Sequence, residues 1–390
     1  MKNIISKKVL DMKPSGIRAF FDLVLGMKDV ISLGVGEPDF VTPWQIREAG
    51  ISSLEEGFTS YTSNKGLYKL RLLLSRSLKN SYGLDYSPDD EILITVGVSE
   101  AVDLALRAVI NPGDKILIPV PSYVSYGPVT ELAGGIPVYI DTRKNKFKLK
   151  PEDIEKAIDK NTKAIILNYP CNPTGVSYTK KELEEFKKVI NKHDILCITD
   201  EVYRDLTYDF SHTHFASLPG AKEKTLYLDG FSKTYAMTGW RIGFACGPKE
   251  IIAAMTKIHQ YTMMCVSITS QMAACEALHS ARKDVEAMKR EYNRRREFVV
   301  DGLNSMGLKC HKPQGAFYVL PSVENTGLSS MDFCERLLKN EKVAIVPGEA
   351  FGDSAKGFVR ISYASSLENI KEALNRMGKF LKAKGTNAKA

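Results

Sequence analysis

Ile92-Leu93-Ile94-Thr95-Val96-Gly97-Val98-Ser99-Glu100 is the stretch on which the fold turns. Its first five residues are apolar or β-branched and suit a strand covered on both faces. The glycine, serine and glutamate that follow suit a turn into a helix. Units of the same kind recur along the chain. Short apolar runs at Lys115–Pro119, Pro137–Ile140, Ala164–Leu167, Ile195–Thr199, Thr225–Leu228 and Ile242–Cys246 are separated by segments of helical periodicity. Such alternation predicts an α/β fold, with a mostly parallel seven-stranded sheet flanked by helices. Ser99 is expected to cap a helix from Glu100 to Val109, which Asn111-Pro112-Gly113 ends. Thr179-x-x-Glu182 reads as a capping box, and Pro151 suits a first helical turn.

The pattern changes outside this region. After about residue 248 the chain turns helical, through Met288-Lys289-Arg290-Glu291-Tyr292-Asn293-Arg294-Arg295-Arg296-Glu297, whose arginines read as an exposed helix face with acidic neighbours. Short strands at Ala316–Leu320, Val343–Val346 and Phe358–Ile361 follow, with a helix between Met331 and Asn340 and a last one from about Leu367 to Leu381. These predict a smaller α+β domain. On the other side, Val30 to Leu33 is an extended run into Gly34-Val35-Gly36-Glu37-Pro38-Asp39. That Gly-x-Gly is not a dinucleotide fingerprint, because Asp39 stands where the third glycine belongs. Glycine there still permits close backbone approach to a ligand. The organisation expected is residues 1–45 as a segment packing with the small domain, 46–285 as the large domain and 286–390 as the small one.

Composition narrows the class. Hydrophobic residues make up 44% and charged ones 26%, which excludes general disorder. Fifty-four basic against 46 acidic residues leave +8, but no long basic run concentrates it, so a solvated surface fits better than a nucleic-acid groove. Lys379 to Lys389 reads as a solubilising tail. Cys171, Cys197, Cys246, Cys265, Cys275, Cys310 and Cys334 form no C-x-x-C pair and read as free thiols. With no spanning apolar stretch and no signal-like N-terminus, a cytoplasmic protein without membrane contact is expected.

Four polar clusters follow the carboxyl ends of predicted strands, where α/β folds hold ligands. Gly97-Val98-Ser99-Glu100 is either an anion seat of backbone N–H groups or a plain strand-to-helix turn. Asn168-Tyr169-Pro170-Cys171-Asn172-Pro173-Thr174-Gly175 is a constrained turn that holds the Asn172 amide in a set direction. In Asp200-Glu201-Val202-Tyr203 the aspartate either meets a protonated ring nitrogen or caps a helix. Lys233 stands among small and aromatic residues in Gly230-Phe231-Ser232-Lys233-Thr234-Tyr235-Ala236-Met237-Thr238-Gly239-Trp240-Arg241-Ile242-Gly243, where Ser232 and Arg241 are suitable phosphate donors. Such a lysine suits a phosphate-bearing aldehyde cofactor, or it is a snorkelling surface residue.

Taken together, these motifs resemble the fold-type I pyridoxal-phosphate-dependent aminotransferases of class I/II, in particular the prokaryotic aspartate and aromatic aminotransferases. The resemblance covers essentially the whole length, from Ser32-Leu33-Gly34 to Val359-Arg360-Ile361-Ser362-Tyr363-Ala364. Pro347-Gly348 with Phe351-Gly352, and Gly315-Ala316-Phe317-Tyr318, agree with it. It implies that Lys233 is the catalytic residue and binds pyridoxal 5'-phosphate covalently, and that Asp200 pairs with the cofactor's ring nitrogen. Tyr203 and Asn172 would donate to its 3-oxygen, and Tyr123 would stack on the ring. Ser99 and Glu100 through their backbone N–H groups, with Ser232 and Arg241, would hold the phosphate. Tyr61 would reach the phosphate of the neighbouring subunit, which implies a homodimer with shared sites. Arg360 would grip the substrate α-carboxylate, with Asn172 and the backbone of Gly36 beside it. The carboxylate of Glu100, an acid next to a phosphate, must turn away or meet a cation.

The activity so implied moves an α-amino group between an L-amino acid and a 2-oxo acid by ping-pong kinetics. Glutamate and 2-oxoglutarate would form one pair, and aspartate or an aromatic amino acid the other. A pyridoxal-phosphate β-lyase or a diaminopimelate-type aminotransferase would use the same cofactor residues. A regulator built on this fold would need a DNA-binding module ahead of it, for which the chain starts too close to Gly34. His212-Thr213-His214, the one close histidine pair, reads as a solvated turn and not a metal site. Lys13, Ser15, Arg18 and Phe20 are candidates to line a lid. Arg107 is a second candidate carboxylate partner or a surface residue of its helix.

Overall fold

The computed structural model describes residues 4–12, 16 and 27–387. Lys13, Ser15, Arg18 and Phe20 lie outside the described residues. In chain order the strands are β1 (Ile31–Ser32), β2 (Ile92–Thr95), β3 (Lys115–Val120), β4 (Ile136–Asp141), β5 (Thr162–Asn168), β6 (Leu196–Asp200), β7 (Thr225–Gly230), β8 (Gly243–Cys246), β9 (Tyr318–Val319), β10 (Val343–Ala344), β11 (Val346–Pro347) and β12 (Val359–Ser362). All seven apolar runs found in residues 92–246 are strands of one sheet, ordered β2-β8-β7-β6-β5-β3-β4. Every pairing in it is parallel except those of β8, which runs antiparallel to both β2 and β7.

The apolar runs of the central strands are continuous because both faces are covered; the edge strand β4 is half-exposed. In β2, Ile92 and Ile94 pack with Leu70 and Leu74 on one face, while Leu93 packs with Ile116, Ile118 and Ile252 on the other. That is the two-residue alternation of a strand with helices on either side. The Thr179 capping box forms with both of its hydrogen bonds, and Pro151 opens its helix. The helix after β2 differs from expectation. It runs Gly97–Val109 with Val96 at the cap position, so Ser99 lies inside the first turn and caps nothing. The Glu100 carboxylate takes over that task, accepting the Val96 N–H at 2.5 Å.

A second group of elements packs beside the carboxyl ends of the sheet strands. Antiparallel β11-β12-β9 forms its small sheet, and β1 pairs in parallel with β10, Ile31 opposite Val343. The single run expected at Val343–Val346 therefore splits, its two halves serving different sheets. Helices Arg282–Ser305, Ser330–Glu341 and Leu367–Asn387 close this core with Val299, Leu303, Phe333, Leu337 and Met377.

The arginine run on the first of these helices is not simply an exposed face. Arg294 is exposed, but Arg295 and Arg296 are buried. Arg295 Nη1 donates to both Asp39 oxygens at 2.9 and 2.8 Å. Arg296 meets Asp209 at 2.7 and 2.9 Å and the Pro313 carbonyl at 2.6 Å. Pairing of this kind answers both buried guanidinium charges, though Arg296 Nε itself has no partner, and ties down the loops that carry Asp39 and Asp209. Among the described residues no helix is long and apolar enough to cross a membrane.

Candidate active site

The carboxyl ends of β2, β5, β6 and β7 open into a cavity of about 590 Å³, closed from the far side by β12 and the loop after β1. Ser99, Tyr123, Asn172, Asp200, Tyr203 and Ser232 line it, together with Lys233, Arg241, Gly36 and Arg360. The fold brings residues from 324 positions apart in the sequence (360 minus 36) to one space. Glu100 and Tyr61 are not among its walls.

Asp200 is the last residue of β6 and is buried. Burial pushes its carboxyl up to about 6, against the hydrogen bond from Tyr126 Oη at 2.7 Å and the one from the Val202 N–H at 3.3 Å. No arginine or lysine forms an ion pair with it among the described residues. A carboxylate desolvated in this way is set to receive a cationic N–H. Beside it, Asn168 Nδ2 donates to the Asp200 carbonyl and Asn168 Oδ1 accepts the Asn172 N–H, so the rigid turn is tied to the end of β6.

Lys233 follows β7 in a single helical turn, Phe231–Thr234. Its Nζ donates to the Gly36 carbonyl at 2.7 Å. Burial lowers its pKa to about 8; nearby Glu37 opposes the fall, and Arg360 and Arg241 add to it. The neutral amine is therefore populated near neutral pH, as a nucleophile or base requires.

Arg360 on β12 is buried without an acidic partner among the described residues. Nη1 donates to Asn172 Oδ1 at 3.0 Å, Nη2 donates to the Gly34 carbonyl at 2.5 Å, and Nε has no partner. The rings of Tyr318 and Phe351 flank it, with centroids 4.6 and 4.7 Å away. A guanidinium held so, with its charge unanswered, is a receptor for a carboxylate. Gly36 makes room for the neighbouring Tyr318, whose Oη would stand 2.7 Å from a Cβ there.

At the other end of the cavity, Gly97 adopts φ 72°, and a Cβ on it would lie 2.7 Å from Arg241 Nη2. Only glycine allows the guanidinium to settle over the start of the helix. Ser99 and Ser232 complete that corner. The Glu100 side chain has turned away from it, with Oε1 2.7 Å from Nδ1 of buried His259. The acid expected next to an anion is thus engaged by an imidazole and the Val96 N–H.

Several positions were not visible in the sequence. Tyr126, Tyr318, His259 and the Thr238–Glu37 hydrogen bond of 3.1 Å come from separate elements. Tyr318 carried a signal as the end of the Gly315-Ala316-Phe317-Tyr318 motif, though not for its place in the cavity, and Tyr126 only as the residue three after Tyr123. Tyr203 Oη lies 2.8 Å from Tyr318 Oη. Arg107 pairs with Asp103 one turn back on its helix and stays outside the cavity, the surface alternative. His212 and His214 are not in a solvated turn. They lie under the sheet, His212 Nε2 and His214 Nδ1 each 2.7 Å from Glu201 Oε2 and Tyr169 Oη 3.0 Å from Glu201 Oε1. A buried glutamate demanded these partners; two imidazoles hold its pKa below the carboxylate range despite burial.

A depressed lysine, an unpaired carboxylate, an anion corner and an unanswered arginine around one cavity fit pyridoxal phosphate bound with an amino acid. The fold and site define a pyridoxal-phosphate enzyme of fold type I. The sequence matches the family described as aminotransferase class I and II over residues 28–377, and the chain belongs to that family. It is 53% identical over 98% of its length to YugH of Bacillus subtilis (strain 168), named as an aminotransferase with no substrate stated, and covers 99% of that protein. It is 46% identical to the aspartate aminotransferase of Pyrococcus abyssi (strain GE5 / Orsay), over 96% of this chain and 97% of that one. The solved aromatic aminotransferase from Pyrococcus horikoshii OT3 superposes with a TM-score of 0.90 at 44% identity, covering 95% and 99% of the two chains. The protein is therefore a pyridoxal-phosphate-dependent aminotransferase.

Proposed function

We propose that the enzyme transfers the amino group of glutamate to an oxo acid and back by a ping-pong cycle, with aspartate or an aromatic amino acid as the second substrate. The observation that carries this reading is Arg360, a buried cation placed in the same cavity as the lysine and lacking a carboxylate. Names of relatives support both substrate classes, one at 46% identity for aspartate and one at 44% for aromatic substrates. When bound, pyridoxal phosphate supplies an electron sink and carries the amino group between the half-reactions. Arg360 orients the substrate through its α-carboxylate, with Asn172 and the Gly36 backbone beside it. Asp200 would hold a proton on the ring nitrogen, and Tyr203 and Asn172 would hold the ring's oxygen. Tyr123 would cover one ring face; Ser99, the backbone N–H of Glu100, Ser232 and Arg241 would hold the phosphate. The Lys233 amine, neutral in part near pH 7, would take up the substrate Cα proton and hold it for return.

The working unit is a cytoplasmic homodimer in this reading. Tyr61 and Tyr261 are 81% and 84% exposed, Met263 and Met264 lie beside them, and Asn64 Nδ2 ties the two segments through the Met264 carbonyl. So much exposed aromatic and methionine surface suits a partner interface, from which Tyr61 would enter the other subunit's phosphate corner. The two domains divide near residue 285, at the start of the helix Arg282–Ser305; β1 pairs with β10 of the second domain, whereas Lys7–Asp11 lies against the helix Tyr126–Leu132 of the first. A single-turnover screen tests the substrate assignment: amino acids are added singly to the pyridoxal-phosphate form and the conversion of the cofactor to its amine form is followed. Conversion with glutamate and with aspartate or an aromatic amino acid is expected. Elimination products, or conversion by neither class, would contradict it.

A further inference from the structure

A second cavity, of about 360 Å³, lies at the far end of the turn that begins with Asn172. One wall is Lys146-Phe147-Lys148-Leu149-Lys150. Phe147 and Leu149 are buried in the core of the large sheet, while Lys146, Lys148 and Lys150, with the edge of Phe147, line the cavity. The opposite wall is His311-Lys312-Pro313-Gln314, which leads into β9. Neither wall contributes an aspartate or glutamate.

Two of the five basic groups are already answered from outside: Lys148 lies 2.7 Å from Glu182, and Lys312 2.6 Å from Glu297. Lys146 and Lys150 form no ion pair among the described residues. The excess of charge is felt at His311, where burial and then Lys146 and Lys309 hold the pKa below that of an ordinary histidine. The backbone here closes the 3-10 turn Arg143–Asn145, with Lys146 as its left-handed cap. Lys146 and Phe147 adopt φ of 56° and 64°, a region that glycine or asparagine enters more easily. A lysine is placed there in spite of its backbone cost. A row of lysines is ordinarily a solvated face, but this one looks into a cleft with a second basic wall.

We propose that this cleft binds small polyanions of the phosphate or polyphosphate class, seated between Lys146, Lys150 and His311. A ligand there joins the two walls through charge-assisted contacts. Its position bears on the active site. The Gly175 carbonyl accepts from the Gln314 and Gly315 N–H groups, both at 2.9 Å, and the Ser177 N–H donates to Gln314 Oε1 at 3.2 Å. The same turn begins at Asn172, the partner of Arg360. An anion in the cleft therefore braces the back of the turn whose front faces the substrate.

The test uses the pyridoxal-phosphate-loaded protein, whose own phosphate corner is filled, with inorganic tripolyphosphate as the probe. Binding is read by titration calorimetry at physiological ionic strength, where diffuse attraction is screened beyond about 8 Å. Saturable binding is expected for the wild type. It should weaken roughly tenfold or more in Lys146→Asn/Lys150→Ser, in which asparagine keeps the left-handed backbone and two charge-assisted contacts are lost. Lys180→Ser/Lys181→Ser removes the same charge from an exposed helix surface outside the cleft and should bind as the wild type does. Absence of saturable binding, equal weakening in both variants, or unchanged binding in the cleft variant overturns the site. Circular dichroism of the two variants separates loss of binding from loss of fold.

Discussion

Replacing Arg360 by lysine keeps a positive charge in the cavity and removes the fork that the geometry requires. In the wild type, Nη1 and Nη2 are already spread between Asn172 Oδ1 and the Gly34 carbonyl, and two rings clamp the guanidinium plane. A lysine ammonium reaches at most one of those acceptors while meeting a carboxylate as a point charge. The buried Gly34 carbonyl, or one carboxylate oxygen, then loses a charged partner at about 1.5–3 kcal/mol, and poorer orientation adds to that. A total of roughly 2–4 kcal/mol corresponds to a fall of about 30- to 1000-fold in kcat/KM. The assay is the single-turnover half-reaction with glutamate, in which the bound cofactor's spectrum reports conversion and its intensity reports occupancy. Arg360→Lys should retain cofactor and lose kcat/KM for the amino acid. A variant within threefold of wild type, or one that fails because cofactor is lost, refutes the role given to Arg360.

Other consequences follow from the buried charges. Asp200 has a raised pKa of about 6, so in the cofactor-free protein the folded state binds its proton more tightly than the unfolded chain. Stability contributed by that group is present below the ordinary aspartate value of about 4 and is lost as pH rises to about 6. Asp200→Asn should flatten that part of the melting profile of the cofactor-free protein while lowering kcat of the loaded enzyme by about 100-fold or more. Retained activity would remove Asp200 from the ring nitrogen. Lys233, lowered to about 8, is neutral in about a quarter of molecules at pH 7.5, against about 0.1% for an ordinary lysine. The rate at which cofactor-free protein captures pyridoxal phosphate should therefore climb with pH and level off above about 8; a climb continuing to pH 10 contradicts the shift. Tyr61→Phe should weaken cofactor retention, and sedimentation velocity should find a dimer. A stable monomer that keeps its cofactor would sink the shared site.

The sheet was legible because its central strands are covered on both faces, so unbroken apolar runs such as Ile116 to Ile118 mark them; the edge strand β4 is open, at Ile136 and Tyr139. The site was legible for a related reason: its residues sit directly after those strands, and short connections leave little freedom in where they point. What the sequence concealed are contacts between distant elements. Nothing local distinguishes Arg294, which is solvated, from Arg296, which is buried against Asp209, because the difference lies in which helix face meets the core. Glu100 looked misplaced until His259, 159 residues later, supplied its partner. His212 and His214 read as polar loop residues for the same reason, since their glutamate lies on the hidden side of β6. The cap of the first crossover helix was misread at Ser99 because Gly97 turns the chain at once, shifting the helix start by three residues from the Glu100 expected (100 minus 97).

All of these arguments converge on one amine. Borohydride reduction of the holoenzyme followed by peptide mass mapping fixes the cofactor to whichever lysine carries it. The cofactor's mass is expected on the peptide containing Ser232-Lys233-Thr234, with no modified peptide and no bound-cofactor absorbance in Lys233→Ala. Label on another lysine, or unchanged absorbance in that variant, would contradict the site as described.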